Sequence, residues 1–343
     1  MNEKIYSKTG IEAQDHTPDH THDRTYDRDR AAAAALIRSL GDGLTRGSVR
    51  GCPEATDDSN HPTSAPGLSI GDILVGSGRL SPHDAERVAQ HQRQDNLPFG
   101  EVALSMRLIT RADVNYALNK QFDYDCLDSE NVQVSPEVVA AFEPFSRVGE
   151  NLRAVRSQLM LRWLHRDAQA KVLAIVSPAR RDGRSFMAAN LAVVFAQQGE
   201  RTLLIDGNLR QPRQAELFQQ NRRSPGLSHL LASRAGMEVI GNVPGLPKLS
   251  VLSAGAPPPN PQELLGRPAF RQLLATASHN FDVVLIDTPA SDEFADAEII
   301  ASRAGAALVL TRQHQTSLPA LQRMASRLQD SGVALVGTVL NAP

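Results

Sequence analysis

Six short apolar runs in the second half of the chain limit its fold more than any other feature. They are VLAIV (172–176), TLLID (202–206), LSVLSAG (249–255), VVLID (283–287), AALVLT (306–311) and LVGTVLN (335–341). Helical patterns separate them. Short buried runs alternating with helices predict an α/β fold with a parallel sheet covered by helices on both faces. In such sheets ligands bind at the carboxyl ends of the strands.

The first run is followed by SPARRDGRSFMAANLA (177–192), a polar loop with a glycine that leads into a helical pattern. This is the layout of a phosphate-binding loop, with an ordinary strand-to-helix turn as the competing reading. Main-chain N–H groups ahead of a helix, with the positive end of its dipole, form an anion cradle. Arg181, Asp182, Gly183, Arg184, Ser185 and Phe186 are the cofactor-binding candidates there. Arg184 stands where lysine is expected and would meet β- and γ-phosphates with a bulkier, planar fork. Pro178 and Arg181 occupy positions that usually carry small residues. The Ser185 hydroxyl is placed to meet Mg²⁺. Two further runs end in acids, Asp206 and Asp287. An unpaired charge at a buried strand end is costly, so two converging on one loop suggest a cation. Mg²⁺ takes a few hard oxygens plus waters and a substrate phosphate. Ser185, Asp206 and Asp287 are therefore the metal candidates.

The remainder divides into three parts. Residues 1–65 are polar apart from AAAAALIRSL (31–40) and predict a disordered tail, in which His16, His20 and His22 read as solvated. A small all-α tandem-repeat domain is expected over 66–130, because SIGDILVGSGRLSPHDAERVAQHQ (69–92) aligns with PFGEVALSMRLITRADVNYALNKQ (98–121). Gly71 falls on Gly100, Leu80 on Ile109 and Gln92 on Gln121. Each unit predicts a short helix, a turn, a cap at Ser81 or Thr110, and a second helix. Asp84 and Asp113 follow those caps at capping-box spacing. Next, FEPFSRVGENLRAVRSQLMLRWL (142–164) predicts an amphipathic helix with Leu152, Val155, Leu159 and Leu161 as its stripe. Glu150, Arg153 and Arg156 share one face of it.

Charge is nearly balanced, 36 Lys and Arg against 38 Asp and Glu, so no nucleic-acid partner is expected. Cys52 and Cys126 match neither a metal spacing nor a disulfide framework, which suits a reducing compartment. No apolar run approaches the ~20 residues that cross a bilayer. The start lacks the apolar core of a secretory signal. A cytoplasmic protein, recruited to the inner membrane only through a partner, is the expectation.

Residues 140–343 resemble the bacterial tyrosine kinase (BY-kinase) family, and within it the EpsG-type kinases of exopolysaccharide gene clusters. The likeness rests on LLIDGNLRQP (203–212), IDTPA (286–290), PNPQELL (259–265), the ExxRxxR pattern of Glu150, Arg153 and Arg156, and VLN ending at Asn341. It implies a P-loop NTPase-like fold that binds ATP and Mg²⁺ and transfers the γ-phosphate to tyrosine. The implied catalytic set is Asp206 as base and metal contact, Arg184 on phosphate, and Asp287 as the second carboxylate of the metal shell. Asn341 would contact adenine, and Arg210 a phosphate or a subunit interface. Glu150, Arg153 and Arg156 would join copies into a homo-oligomer, and a separate transmembrane chain-length determinant protein would be the partner. The chain departs from the family at Arg184 and at Asn208, which replaces a second aspartate. The tyrosines Tyr6, Tyr26, Tyr116 and Tyr124 all precede the kinase segment, so autophosphorylation of a tyrosine-rich tail is not expected. Two alternatives stay open: a nucleotide-gated assembly protein with weak or no kinase activity, and a ParA/MinD-like ATPase. The repeat resembles the N-terminal domain of type II secretion and pilus-assembly ATPases. Some of these bind cyclic di-GMP through an arginine that opens each repeat. Ser69 and Pro98 stand there, so protein docking is expected and cyclic di-GMP is not.

Overall fold

The computed structural model describes residues 69–95, 97–121, 127, 134–164 and 171–342. The expected tail, with its alanine-rich segment and histidines, lies outside them.

Residues 69–121 form four helices, Ile70–Gly76, Pro82–Asp95, Phe99–Ser105 and Arg111–Gln121. The caps are those the pattern predicts. Ser81 Oγ accepts from Asp84 N at 3.1 Å, and Thr110 exchanges bonds with Asp113 in both directions. Ser69 makes the same reciprocal pair with Asp72, so the residue in place of the expected arginine is a helix cap. The internal repeat reappears in the core: Leu74 and Ala103, Leu80 and Ile109, and Val88 and Ala117 are buried at matching positions. The first helix of each unit packs on the second helix of the other.

From Val172 the chain forms a sheet of seven strands in the order β3-β4-β2-β5-β1-β6-β7. The strands are β1 (Val172–Val176), β2 (Thr202–Asp206), β3 (Gly241–Val243), β4 (Leu246–Leu252), β5 (Val283–Asp287), β6 (Ala306–Arg312) and β7 (Ala334–Asn341). All pairings are parallel except β3 on β4. The short GNV edge strand escapes a pattern search because three residues carry no periodicity. It returns through a tight turn at Gly245, whose φ is +79°. β4 begins three residues before the expected run, within the polar LPK stretch that an edge hairpin tolerates. The helix Arg184–Gln197 is buried along most of its length, as its apolar sequence requires.

The expected helix over 142–164 is divided. A short helix Val139–Phe142 ends before Pro144, and a second, Arg147–Leu159, starts at the Ser146 cap and continues into a π-turn, Met160–Leu164. Leu152 and Leu159 are buried and Val155 packs beside them, whereas Leu161 is 65% exposed and Trp163 is buried instead. Two residues beyond Leu159 a helix has turned by about 200°, so Leu161 faces away from the stripe. Gly149 permits the close approach of this helix to the preceding turn: a Cβ there would lie 2.2 Å from the Pro144 carbonyl oxygen. Gly149→Ala should therefore lower stability by roughly 2–4 kcal/mol, while Gly266→Ala, which meets open space, should change it little. Urea titrations followed by fluorescence of the single tryptophan, Trp163, read both.

Candidate nucleotide site

The site is built from neighbouring strand ends. β2 and β5 lie side by side in a register that places Asp206 directly opposite Asp287. Both side chains have no solvent exposure. Burial, and then the charge of Asp287, push Asp206 up to about 8. Burial also raises Asp287, opposed by the Ser185 hydroxyl, the Gln214 amide and the Arg184 charge. Asp206 is held by the main chain of the loop that follows it. Oδ1 accepts from Asn208 N at 3.2 Å, and Oδ2 from Arg213 N at 3.0 Å and Gln214 N at 2.9 Å. Asp287 Oδ2 accepts from Gln214 Nε2 at 2.8 Å, while its Oδ1 is buried with no hydrogen-bond partner among the described residues. A pair of buried carboxylates with one open oxygen suits a hard cation. Among the described residues there is no cluster of three or more His, Cys, Asp or Glu that could hold a metal.

The loop between β1 and the helix Arg184–Gln197 turns through two left-handed residues, Arg181 at φ +65° and Gly183 at φ +101°. Three groups from β6, β7 and their connection hold it. Arg312 Nη1 donates to the Arg181 carbonyl at 3.0 Å, Thr316 Oγ1 to Asp182 Oδ1 at 3.0 Å, and Asn341 Nδ2 to the Asp182 carbonyl at 3.1 Å. Asp182 also accepts from Ala179 N at 3.0 Å. Arg184 is turned inward. Its Nε donates to the Thr288 carbonyl at 2.9 Å, its Nη1 to the Ala179 carbonyl at 2.6 Å and also to the Ser177 hydroxyl. Burial lowers its pKa against the pull of Asp287 and Asp182.

A cavity of about 730 Å³ opens beside the loop, and Arg181, Gly183, Arg184, Ser185 and Phe186 lie on its wall. That volume is in the range of small-ligand sites. Asp206 and Asp287 are buried and do not line it. The structure thus brings the loop candidates, Asp206, Asp287 and Asn341 together at the carboxyl end of the sheet. Glu150, Arg153 and Arg156 are not part of it. Arg153 pairs with Glu150 and the Pro144 carbonyl, and the Arg156 guanidinium lies 5.8 Å from the Phe195 ring centre. Arg210 is engaged elsewhere: it pairs with buried Asp296 through Nε at 2.8 Å and stacks on Phe294 at 3.7 Å. Asn208 turns back on its own loop, accepting from Gln211 N at 3.0 Å. Sequence reasoning missed Gln214, which touches both acids and the Ser185 carbonyl. Its surroundings in sequence, RQAELF, read as ordinary helix, and no local signal marks it.

A phosphate loop joined to strand-end acids on a parallel sheet defines a P-loop NTPase-like nucleotide-binding fold. The comparisons narrow the class. The chain is 34% identical over 205 residues to tyrosine-protein kinase YwqD of Bacillus subtilis, covering 85% of that protein and 60% of this chain. It therefore belongs to the bacterial tyrosine kinase family. It is 35% identical over 192 residues to tyrosine-protein kinase ptk of Acinetobacter johnsonii, 56% of this chain, but spans only about a quarter (26%) of that longer relative. Among solved structures it is similar to the kinase domain of Escherichia coli tyrosine kinase ETK, with a TM-score of 0.58 at 29% identity over 63% of this chain and 83% of that one. The BceF tyrosine kinase domain gives 0.55 at 27% identity over 66% and 96%. No family model matches the chain. Among the described residues no helix is long and apolar enough to cross a membrane.

Proposed function

We propose that this chain is an ATP- and Mg²⁺-dependent protein-tyrosine kinase that regulates the chain length, polymerisation or export of an exopolysaccharide. It acts in the cytoplasm on the side of the membrane reached by a separate chain-length determinant protein, and through the Glu150–Arg153–Arg156 face it joins a homo-oligomer. The observation that carries the kinase reading is the pairing of Asp206 with Asp287 across adjacent strands, beside Ser185 and a glycine-turned loop.

The reaction demands positioning and charge stabilisation more than covalent chemistry. When bound, MgATP supplies the γ-phosphoryl group and the divalent charge that offsets the growing negative charge. The main-chain N–H groups around Gly183 hold the phosphates, and Arg184 adds a fixed positive charge. The Ser185 hydroxyl and the Asp287 carboxylate would hold the cation. Asp206 Oδ1, which accepts only one main-chain bond, takes the proton of the tyrosine hydroxyl. Burial and the Asp287 charge raise its proton affinity, and a cation held at Asp287 would offset that charge and favour the ionised base. Asn341 holds the loop from behind and supports the adenine end. The helical repeat at 69–121 serves as the docking module for the polysaccharide machinery. Asp206→Ala should lower Mg²⁺-dependent ATP turnover at least ~100-fold, and unchanged turnover would remove the assigned site.

A second reading has its own observations. Arg184 is committed to the Ala179 and Thr288 carbonyls, and Asn208 caps its own loop without bringing a third charge. A nucleotide-gated assembly protein with little transfer activity fits these equally. Size measurement with and without MgATP, run beside a phosphotyrosine assay, separates the two. Phosphotyrosine on a partner excludes the second.

A further inference from the structure

Gln214 has no solvent exposure and makes more contacts to the two acids than any loop residue predicted from sequence. Its main-chain N–H caps Asp206 Oδ2 at 2.9 Å. Its side-chain nitrogen bridges Asp287 Oδ2 at 2.8 Å and the Ser185 carbonyl at 3.2 Å. The same residue therefore touches both acids and the main chain of Ser185, whose hydroxyl is assigned to the cation. Its amide oxygen, Oε1, is buried with no partner among the described residues, as is Asp287 Oδ1. Oε1 shares an amide carbon with Nε2, so covalent geometry keeps it beside the Asp287 carboxylate.

A purely structural glutamine does not explain this arrangement. Capping of Asp206 comes from the main chain and would survive any side chain. An unpaired buried amide oxygen carries the full desolvation penalty, which an apolar side chain of the same length would avoid. The amide nitrogen, in turn, occupies Asp287 Oδ2 and leaves Oδ1 as the oxygen open to a ligand. Groups that orient a metal-binding carboxylate, and accept hydrogen bonds from water on the ion, perform this work around metal sites generally. Mg²⁺ in particular retains such waters.

We infer that Gln214 is a positioning residue of the cation site, holding Asp287 by one oxygen and presenting Oε1 as an acceptor for cation-bound water. The inference rests on the nucleotide-site reading above. It is tested on the full chain with Mn²⁺ as the paramagnetic probe and a non-hydrolysable ATP analogue, by electron paramagnetic resonance titration. Gln214→Met keeps the length and removes both polar atoms. It should weaken Mn²⁺ binding about 10- to 100-fold while leaving binding of the analogue in EDTA unchanged. Gln214→Glu keeps an acceptor and adds charge, and should bind Mn²⁺ at least tenfold more tightly than Gln214→Met. Wild-type Mn²⁺ affinity in Gln214→Met overturns the inference. So does an equal loss of metal-free analogue binding, or a Gln214→Glu protein no tighter than the Met variant. Asp287→Asn is the control. If it retains Mn²⁺ affinity the site reading itself fails; if it loses that affinity while Gln214→Met does not, only the role of Gln214 fails.

Discussion

Asp287→Asn should yield a protein that is harder to melt and unable to turn over ATP. Asp206 and Asp287 face each other across adjacent strands with no solvent to screen them. Both have folded-state pKa values raised above the usual carboxylate range, to about 8 for Asp206. Between the unfolded value near 4 and that folded value, the folded state binds protons that the unfolded chain has released. Stability therefore falls as pH rises through this window. Replacing one acid by its neutral isostere removes the mutual repulsion. Its amide oxygen can still accept from Gln214 Nε2, as Asp287 Oδ2 does. The expected gain at pH 8 is roughly 1–3 kcal/mol, or ~2–10 °C in Tm, and it should shrink toward pH 5, where Asp206 is already protonated and the mutual repulsion is gone. Turnover should fall by about 10²–10³-fold, the range for losing one preorganised electrostatic group. Melting curves at both pH values, beside an ATPase assay, test the two halves together. A destabilised Asp287→Asn protein at pH 8 would mean the carboxylates are not in conflict.

Gly183→Ala should remove nucleotide binding at modest cost in stability. Gly183 sits at φ +101°, a conformation that costs about 1–2 kcal/mol with a side chain present. Its Cβ would also lie 2.5 Å from Asn341 Nδ2. The alanine must therefore displace the side chain that donates to the Asp182 carbonyl and fixes the loop. Loss of one turn's geometry should weaken the affinity for ATP by ~100-fold or more, since main-chain N–H groups bind phosphate only when aimed together. Tm should drop by only a few degrees, because the β1 core beneath the loop is untouched. Calorimetric titration with MgATP, compared with a melting curve, distinguishes a lost cradle from a lost fold. An alanine variant that binds with wild-type affinity would show that the loop is not the phosphate site.

Much of this was legible before any coordinates. Five of the six expected runs match their strands to within a residue at each end, because buried strands in a parallel sheet are apolar on both faces and bounded by polar loops. The repeat was legible because equal positions carry equal burial, as Leu80 and Ile109 show. The split of the helix at Pro144, the outward turn of Leu161 and the short β3 strand were not. A π-turn or a three-residue edge strand leaves no periodic trace. In the site, Asp206 and Asp287 stood out at the ends of runs, and Gly183 in the polar loop that follows one. Arg184 was expected to face phosphate, yet its guanidinium binds loop carbonyls, a choice set by what surrounds it.

The sequence alone determined which residues end the strands and which loop precedes the long buried helix. Those features depend on neighbours a few positions away, and the hydrophobic effect imposes the period directly. Only the tertiary structure decided that β5 lies between β1 and β2. That order makes Asp206 and Asp287 partners and carries Gln214 onto both. Strand order follows from how helices pack on both faces and from the handedness of each crossover, which are properties of distant segments. No local pattern encodes that two acids far apart in the chain will share one buried space.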